Sequence, residues 1–213
     1  ACLEAHVSSS LDAGSRIFVE HMHKGGGSTL CHYFWRSPLK VTRRKNCNGD
    51  SDMVNLAKGD DRAWEQLFKY PYRIFFNENS INRSSSMTSK FLYLTTWREP
   101  LERELSDVVF NRKLSKQSRD FADVAQDFAN RTSRHACRNF MAQQLTGLTD
   151  DSVSQAELMS AALKRLDHFF LVIPSHMLKE GLVLLNHLLQ KPLPTGLKSN
   201  TGAQADSYKL DLI

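Results

Sequence analysis

Residues 16–31 read Arg-Ile-Phe-Val-Glu-His-Met-His-Lys-Gly-Gly-Gly-Ser-Thr-Leu-Cys, and their order is that of a strand, a tight loop and a helix start. The apolar, β-branched run Ile17 to His21 reads as a strand. Three contiguous glycines, Gly25, Gly26 and Gly27, let the backbone turn and approach a ligand without a Cβ in the way. A helix-compatible segment, Thr29 to Trp35, follows. Its first N–H groups face the loop, and the helix dipole favours an anion there. Lys24 adds a full positive charge, and Ser28 and Thr29 add hydroxyls. The pattern suits a phosphate or a sulfate. It is not a Walker A loop, because there the lysine follows the glycines. Nor is it a dinucleotide fingerprint, which needs spaced glycines.

The chain of 213 residues is long enough for one α/β domain with a substantial core. We read residues 1–213 as that single domain, with 1–15 as a lead-in and 191–213 as a C-terminal segment able to close over a bound nucleotide through Lys198 to Gly202. A hydrophobic content of 41% with 24% charged residues is ordinary for a globular protein. The net charge of +5 suits an anionic ligand without demanding nucleic acid. No basic run is interleaved with aromatics as in single-strand binders, and the cluster Lys40 to Lys45 is short. No stretch is long enough to cross a bilayer. The 4 cysteines, Cys2, Cys31, Cys47 and Cys137, lack zinc spacing, so no metal site is expected. Their even number permits disulfides, with Cys31–Cys47 the first pair to test. The sequons Asn82-Arg-Ser84 and Asn130-Arg-Thr132 are compatible with a secretory route.

Further along, short apolar runs at Arg73 to Phe76, Phe91 to Thr96 and Phe169 to Ile173 read as strands. Helical spacing marks Arg62 to Phe68, a segment opened by Pro100, Phe121 to Asn130, Arg134 to Thr146, Gln155 to Leu166, and Pro174 to about Gln190. Asp150-Asp151-Ser152 offers caps for the helix at 155. Residues 37–61 and 79–89 read as loops. Trp35, Trp64 and Trp97 are candidates for the core. Strands alternating with helices imply a mostly parallel central sheet flanked by helices, with ligands beyond the carboxyl ends of the strands.

The third strand ends in Thr96-Trp97-Arg98-Glu99-Pro100-Leu101-Glu102-Arg103-Glu104-Leu105-Ser106. An arginine at a strand end can contact a phosphate through two N–H groups at once. Taken with His21-Met22-His23-Lys24-Gly25-Gly26-Gly27-Ser28-Thr29-Leu30, this segment resembles the sulfotransferases that use 3′-phosphoadenosine 5′-phosphosulfate (PAPS). The likeness is closest to the membrane-anchored Golgi type that modifies carbohydrate. In that family a His-x-x-Lys-x-Gly-Gly-Thr/Ser-Thr/Ser-Leu loop cradles the 5′-phosphosulfate. An Arg-Asp-Pro-x-x-Arg-x-x-Ser element binds the 3′-phosphate, and here Glu99 stands where Asp is usual. Asn46 to Asn48, Phe75 to Glu78, Asn139 to Gly147 and Phe169 to Ile173 extend the resemblance across about residues 16–190.

The resemblance implies a P-loop-like α/β fold and a transferase moving a sulfuryl group from PAPS to a hydroxyl, leaving 3′-phosphoadenosine 5′-phosphate. Lys24 would stabilise the leaving phosphate. Gly25, Gly26, Gly27, Ser28, Thr29 and Leu30 would form the 5′ cradle, and Arg98 and Ser106 would hold the 3′-phosphate. The acceptor hydroxyl needs a base. Glu78 is the first choice, with His23 and His32 as rivals, and His21 is expected to be a buried supporting residue. The implied acceptor is a glycan, with a protein tyrosine or a small alcohol left open by the sequence, and the implied site of action is the Golgi lumen, with any membrane anchor outside this chain. Two other readings stay open: a nucleotide- or glycan-binding relative without catalysis, and a P-loop-like kinase, which the glycine order disfavours.

Overall fold

The computed structural model describes residues 2–41, 47, 54–56, 58–81, 86–115, 120–132, 139–150 and 152–190. Its centre is a parallel sheet of β1 (Arg16–Glu20), β2 (Ile74–Asn77), β3 (Phe91–Trp97) and β4 (Phe169–Pro174), in spatial order β2-β1-β3-β4. The expected α/β architecture is present. In register, Phe18 lies between Phe75 and Tyr93, and Glu20 between Asn77 and Thr95.

Side chains alternate across the sheet, as the two-residue period of a strand requires. Ile17, Val19, Ile74, Phe76, Leu92 and Leu94 point to one face. There they pack under α1 (Cys2–Asp12), α2 (Gly27–Trp35) and a later helix, Leu178–Leu189. Phe18, Phe75, Phe91 and Tyr93 point to the other face, against Trp64 and Leu67 of α3 (Arg62–Leu67). Arg16, at the start of β1, donates to the carbonyls of Leu67, Phe68 and Tyr70. The C-terminal carbonyls of a helix lack intrahelical donors, and this guanidinium supplies them.

Among the described residues, four helices follow between β3 and β4: α4 (Pro100–Leu114), α5 (Phe121–Thr132), α6 (Phe140–Thr146) and α7 (Gln155–Leu166). The helix after β4, Leu178–Leu189, is α8. α4 has Pro100 in its first turn and Glu99 as N-cap, whose side chain accepts the Glu102 N–H at 2.7 Å. The longer side chain at position 99 therefore still performs the capping expected of an Asp.

Some expectations need correction. Residues 2–12 form a helix rather than a lead-in, with Val7 fully buried against the core. The cap of α7 is Ser154, not the Asp150-to-Ser152 segment. Ser154 and Glu157 satisfy each other's backbone N–H in a capping box, whereas Asp150 accepts from Ser152 N–H. After β4 the chain makes a 3-10 turn, Ser175–Met177, before α8 begins. Trp64 is in the core, but Trp35 is exposed and Trp97 only partly buried. Residues 133–138, the sequon at 82–84, most of the Lys40–Lys45 cluster, and 191–213 with Lys198 to Gly202 lie outside the described residues.

The strand order has one consequence for ligands. The connection leaving β1 runs to β2, on one side of it. The connection leaving β3 runs to β4, on the opposite side. Such a reversal marks the position outside the carboxyl ends of β1 and β3 as the crevice where an open parallel sheet takes its ligand.

Candidate functional site

The loop after β1 and the loop after β3 meet in that crevice. Gly26, with φ 101°, is the N-cap of α2 and takes a left-handed conformation that a side chain would strain. Gly27 is required for a different reason. A Cβ there would lie 1.7 Å from Nε2 of His21, whose buried ring fills the space beneath the helix start. Gly25 and Thr29 use their N–H groups within the loop, on Met22 O at 2.8 Å and Gly26 O at 3.0 Å. Gly26, Gly27 and Ser28, at the first turn of α2, have no intrahelical acceptor. The cradle expected from residues 25 to 30 thus narrows to three backbone donors. Leu30 gives its N–H to Gly26 O, and its side chain is buried in the core, where it seats the helix and faces away from any ligand.

The hydroxyl of Thr96, near the end of β3, lies under this loop, 3.0 Å from the position of a Cβ on Gly25. Thr96 is fully buried and its Oγ1 has no partner among the described residues. Arg98 reaches across from the β3 loop. Its Nη1 donates to Lys24 O at 3.2 Å, and its Nε stands 3.6 Å from Glu102 Oε2. The two anion-binding elements read from sequence are therefore in contact. Ser106 is half-buried on α4, one turn beyond Glu102.

Two consecutive loop residues dock on consecutive turns of α4. His23 lies between two carboxylates, with Nδ1 2.8 Å from Glu78 Oε1 and Nε2 2.8 Å from Asp107 Oδ1. Both ring nitrogens can donate only in the imidazolium form. Hydrogen bonding first to Asp107 and then to Glu78 pushes the ring from 6.5 up to about 9, against a smaller opposing effect of burial. His23 is thus protonated at neutral pH and positions the carboxylates rather than acting as a base. Asn111 in turn donates to Asp107 Oδ2 at 3.2 Å. Lys24, with φ 61°, lays its ammonium 3.0 Å from the ring centroid of Phe110. Burial lowers it from 10.5 to about 8, the fields of Asp107 and Glu78 opposing that and Arg98 adding to it.

Three cations, His23, Lys24 and Arg98, thus face three carboxylates, Glu78, Asp107 and Glu102. The formal charges balance, so the surplus positive potential comes from the N–H groups at the start of α2. His32, the other rival base, is at the far end of α2, stacked edge-on against Trp35 at 5.1 Å. It takes no part in this cluster.

Sequence reasoning missed Asp107 and Phe110. They stand three residues apart on α4, hence on one helix face, Asp107 directly following the Arg98–Ser106 element and Phe110 one turn beyond it. Without the sheet order there was no signal that this face meets the Lys24 loop. The disulfide expected as the first pair to test is formed between Cys31 on α2 and Cys47. Comparison of the chain with protein-family models, with curated proteins and with solved structures finds no match.

Proposed function

We propose that the chain is a P-loop-like sulfotransferase moving a sulfuryl group from PAPS to a hydroxyl, with a carbohydrate as the acceptor class. One observation carries the reading. Arg98, at the end of the neighbouring strand, donates to the carbonyl of Lys24, which precedes the glycines, so both basic residues belong to loops that meet beside a helix start whose first N–H groups have no intrahelical acceptor. Two separate cationic elements fit a nucleotide with phosphates at both 5′ and 3′ positions better than they fit a single phosphate. The buried, unpartnered Thr96 hydroxyl beneath the loop supports a ligand there. In the family this chain resembles, PAPS supplies the activated sulfuryl group and a good leaving phosphate.

The residues then divide the work. Gly26, Gly27 and Ser28 hold the 5′ end through backbone N–H groups, with the Ser28 hydroxyl beside them. The Lys24 ammonium neutralises charge as it grows on the leaving oxygen. Arg98 has five N–H donors; it uses one on Lys24 O and turns its Nε toward Glu102, leaving the other N–H groups of its terminal nitrogens for the 3′-phosphate, with Ser106 alongside. Glu78 takes the proton of the acceptor hydroxyl as that oxygen bonds to sulfur and the bond from sulfur to the leaving oxygen breaks. His23 and Asp107 fix the Glu78 carboxylate in place. The disulfide suits an oxidising compartment, in keeping with the Golgi lumen.

The test is thermal stabilisation by 3′-phosphoadenosine 5′-phosphate, ATP and AMP. Selective stabilisation by the bisphosphate is expected, amounting to about 3 kcal/mol at a hundredfold excess over Kd. Equal or better stabilisation by ATP would overturn the reading. Lys24→Ala should abolish sulfuryl transfer while sparing the fold, and retained turnover would remove Lys24 from the mechanism.

A further inference from the structure

The parallel ladder between β1 and β2 ends just below this site, and a side chain from another helix takes over from it. The last backbone bond of the ladder runs from His21 N–H to Asn77 O at 2.6 Å. In an unbroken ladder His21 O would next accept the N–H of Asn79. Here that N–H is turned away and donates to Asn77 Oδ1 at 3.1 Å. Asn77 also donates through Nδ2 to Asn79 O at 2.5 Å and to Glu20 Oε2 at 3.1 Å. Glu20 is fully buried at the end of β1, between Asn77 and Thr95 in the sheet register. Asn77 thus folds Asn79 back on β2, and His21 O has to take its hydrogen from outside the sheet.

Gln144 supplies it. This buried residue stands on α6, beside Met141 and Leu145, which pack with Met22 in the core. Its Nε2 donates to His21 O at 3.2 Å and to Glu78 O at 3.3 Å. One amide therefore bridges the two chains where they separate. Its orientation is fixed, since turning it over would set its oxygen against two carbonyl oxygens. Burial pushes the nearby Glu20 carboxyl well above its ordinary range, and hydrogen bonds from Asn77 and Gln144 oppose that. Gln144 Oε1 is buried with no partner among the described residues. A leucine or methionine would pack against the same core without burying an oxygen that accepts nothing. The amide oxygen thus costs stability, and what the site gains from Gln144 is its NH2 group.

Two loops leave from this bridge. The chain reaches His23 two residues past His21, and Glu78 itself carries the second bridged carbonyl. Their side chains meet again above the split, with His23 Nδ1 2.8 Å from Glu78 Oε1. We propose that Gln144 is a positioning residue, standing in for the missing rung between β1 and β2 and so holding Glu78 where its carboxylate meets His23. The bridge itself is independent of the sulfotransferase reading; its service to proton transfer by Glu78 rests on that reading.

Proton NMR titration of the His23 ring tests the positioning. The ring faces Glu78 and Asp107, and the same two carboxylates act on Lys24 beside it. Gln144→Met keeps the length of the side chain and removes both donors, so Glu78 should draw away from the ring. The midpoint should fall by about half a unit or more, in the direction that Glu78→Gln moves it. Leu145→Ala on the same helix is the control. It loosens the core and lowers stability, and it should leave the midpoint in place. An unmoved midpoint in Gln144→Met, or an equal fall in Leu145→Ala, overturns the role. Should Gln144→Met not fold, solvent exchange of the Gln144 side-chain N–H protons in the parent decides. They should exchange about tenfold or more slower than those of the exposed Gln155, and equal rates overturn the bridge. Neither readout needs sulfuryl transfer. On the proposed function, Gln144→Met should lower kcat about tenfold or more while the Kd of 3′-phosphoadenosine 5′-phosphate stays within about twofold. Unchanged kcat in a variant that binds the bisphosphate overturns the service to Glu78. If the titration and its control come out as expected and the bisphosphate does not bind the parent, it is the sulfotransferase reading that has failed.

Discussion

Asp107→Asn probes the clamp around His23 most directly. In the parent each ring nitrogen ends 2.8 Å from a carboxylate oxygen. Hydrogen bonding to Asp107 is the largest cause of the rise from 6.5 to about 9, with Glu78 second. At face value that gap is worth about 3 kcal/mol. The side chain is 36% exposed, and solvent screening brings the figure to about 1.5 kcal/mol. Asparagine keeps the shape of the carboxylate and removes its charge. A proton NMR titration of the His23 ring should therefore show the midpoint in Asp107→Asn falling by about one unit or more. A parent midpoint near 6.5, or an unmoved midpoint in the variant, would refute the clamp.

The same clamp has a stability signature. Because the folded value lies above the unfolded one, the stabilisation is full below about 6.5 and is lost as pH rises through about 9. Lys24 acts in the opposite direction. Its folded value of about 8 lies below 10.5, so between those values the unfolded chain binds more protons and stability rises with pH. The parent alone would blend the two trends. Urea unfolding of the parent beside His23→Gln separates them, and the parent's advantage should shrink by about 1.5 kcal/mol as pH rises from about 6.5 through about 9.

Other expectations follow from the same geometry. On the proposed function, Arg98→Ala should weaken binding of 3′-phosphoadenosine 5′-phosphate by about tenfold or more, measured calorimetrically, since the proposed charge-assisted contacts would be removed. An effect confined to the acceptor's KM would contradict the 3′-phosphate assignment. Gly27→Ala drives a Cβ to 1.7 Å from the buried His21 ring and should destabilise by about 1–3 kcal/mol in chemical unfolding, with partial rescue by His21→Ala. Full stability of the single variant would refute that packing. Replacing Cys31 and Cys47 together by serine should cost about 3 kcal/mol in the same assay, given their separation of 16 residues.

Much of the fold was legible because its signals are local. The apolar runs that became β1, β2, β3 and β4 are bounded by turn residues, and Pro100 marks the start of α4. Helix α1 was not legible, because its Ser8-Ser9-Ser10 run and weak amphipathicity hide the one face that Val7 and Leu11 give to the core. The cap of α7 was misplaced because Asp150 and Ser152 are as good by type as Ser154. Only the reciprocal bond with Glu157 distinguishes them. At the site, Lys24, the glycines and Arg98 were readable from order and spacing. Asp107 and Gln144 were not, since their parts depend on which helix face packs beside which strand end. Glu20 was read only as one residue of a strand. Its burial follows from its central place between β2 and β3, which no local pattern shows.

Lys24 holds a backbone conformation, φ 61°, that costs a residue with a side chain about 1 kcal/mol or more and costs glycine nothing. A laboratory selection for thermal resistance alone would therefore favour glycine at position 24. The stabilised descendants would keep the sheet, the disulfide and the three glycines while losing the ammonium that this loop lays against Phe110. That drift, easily taken for a harmless gain, would mark where the molecule keeps charge at the expense of backbone comfort.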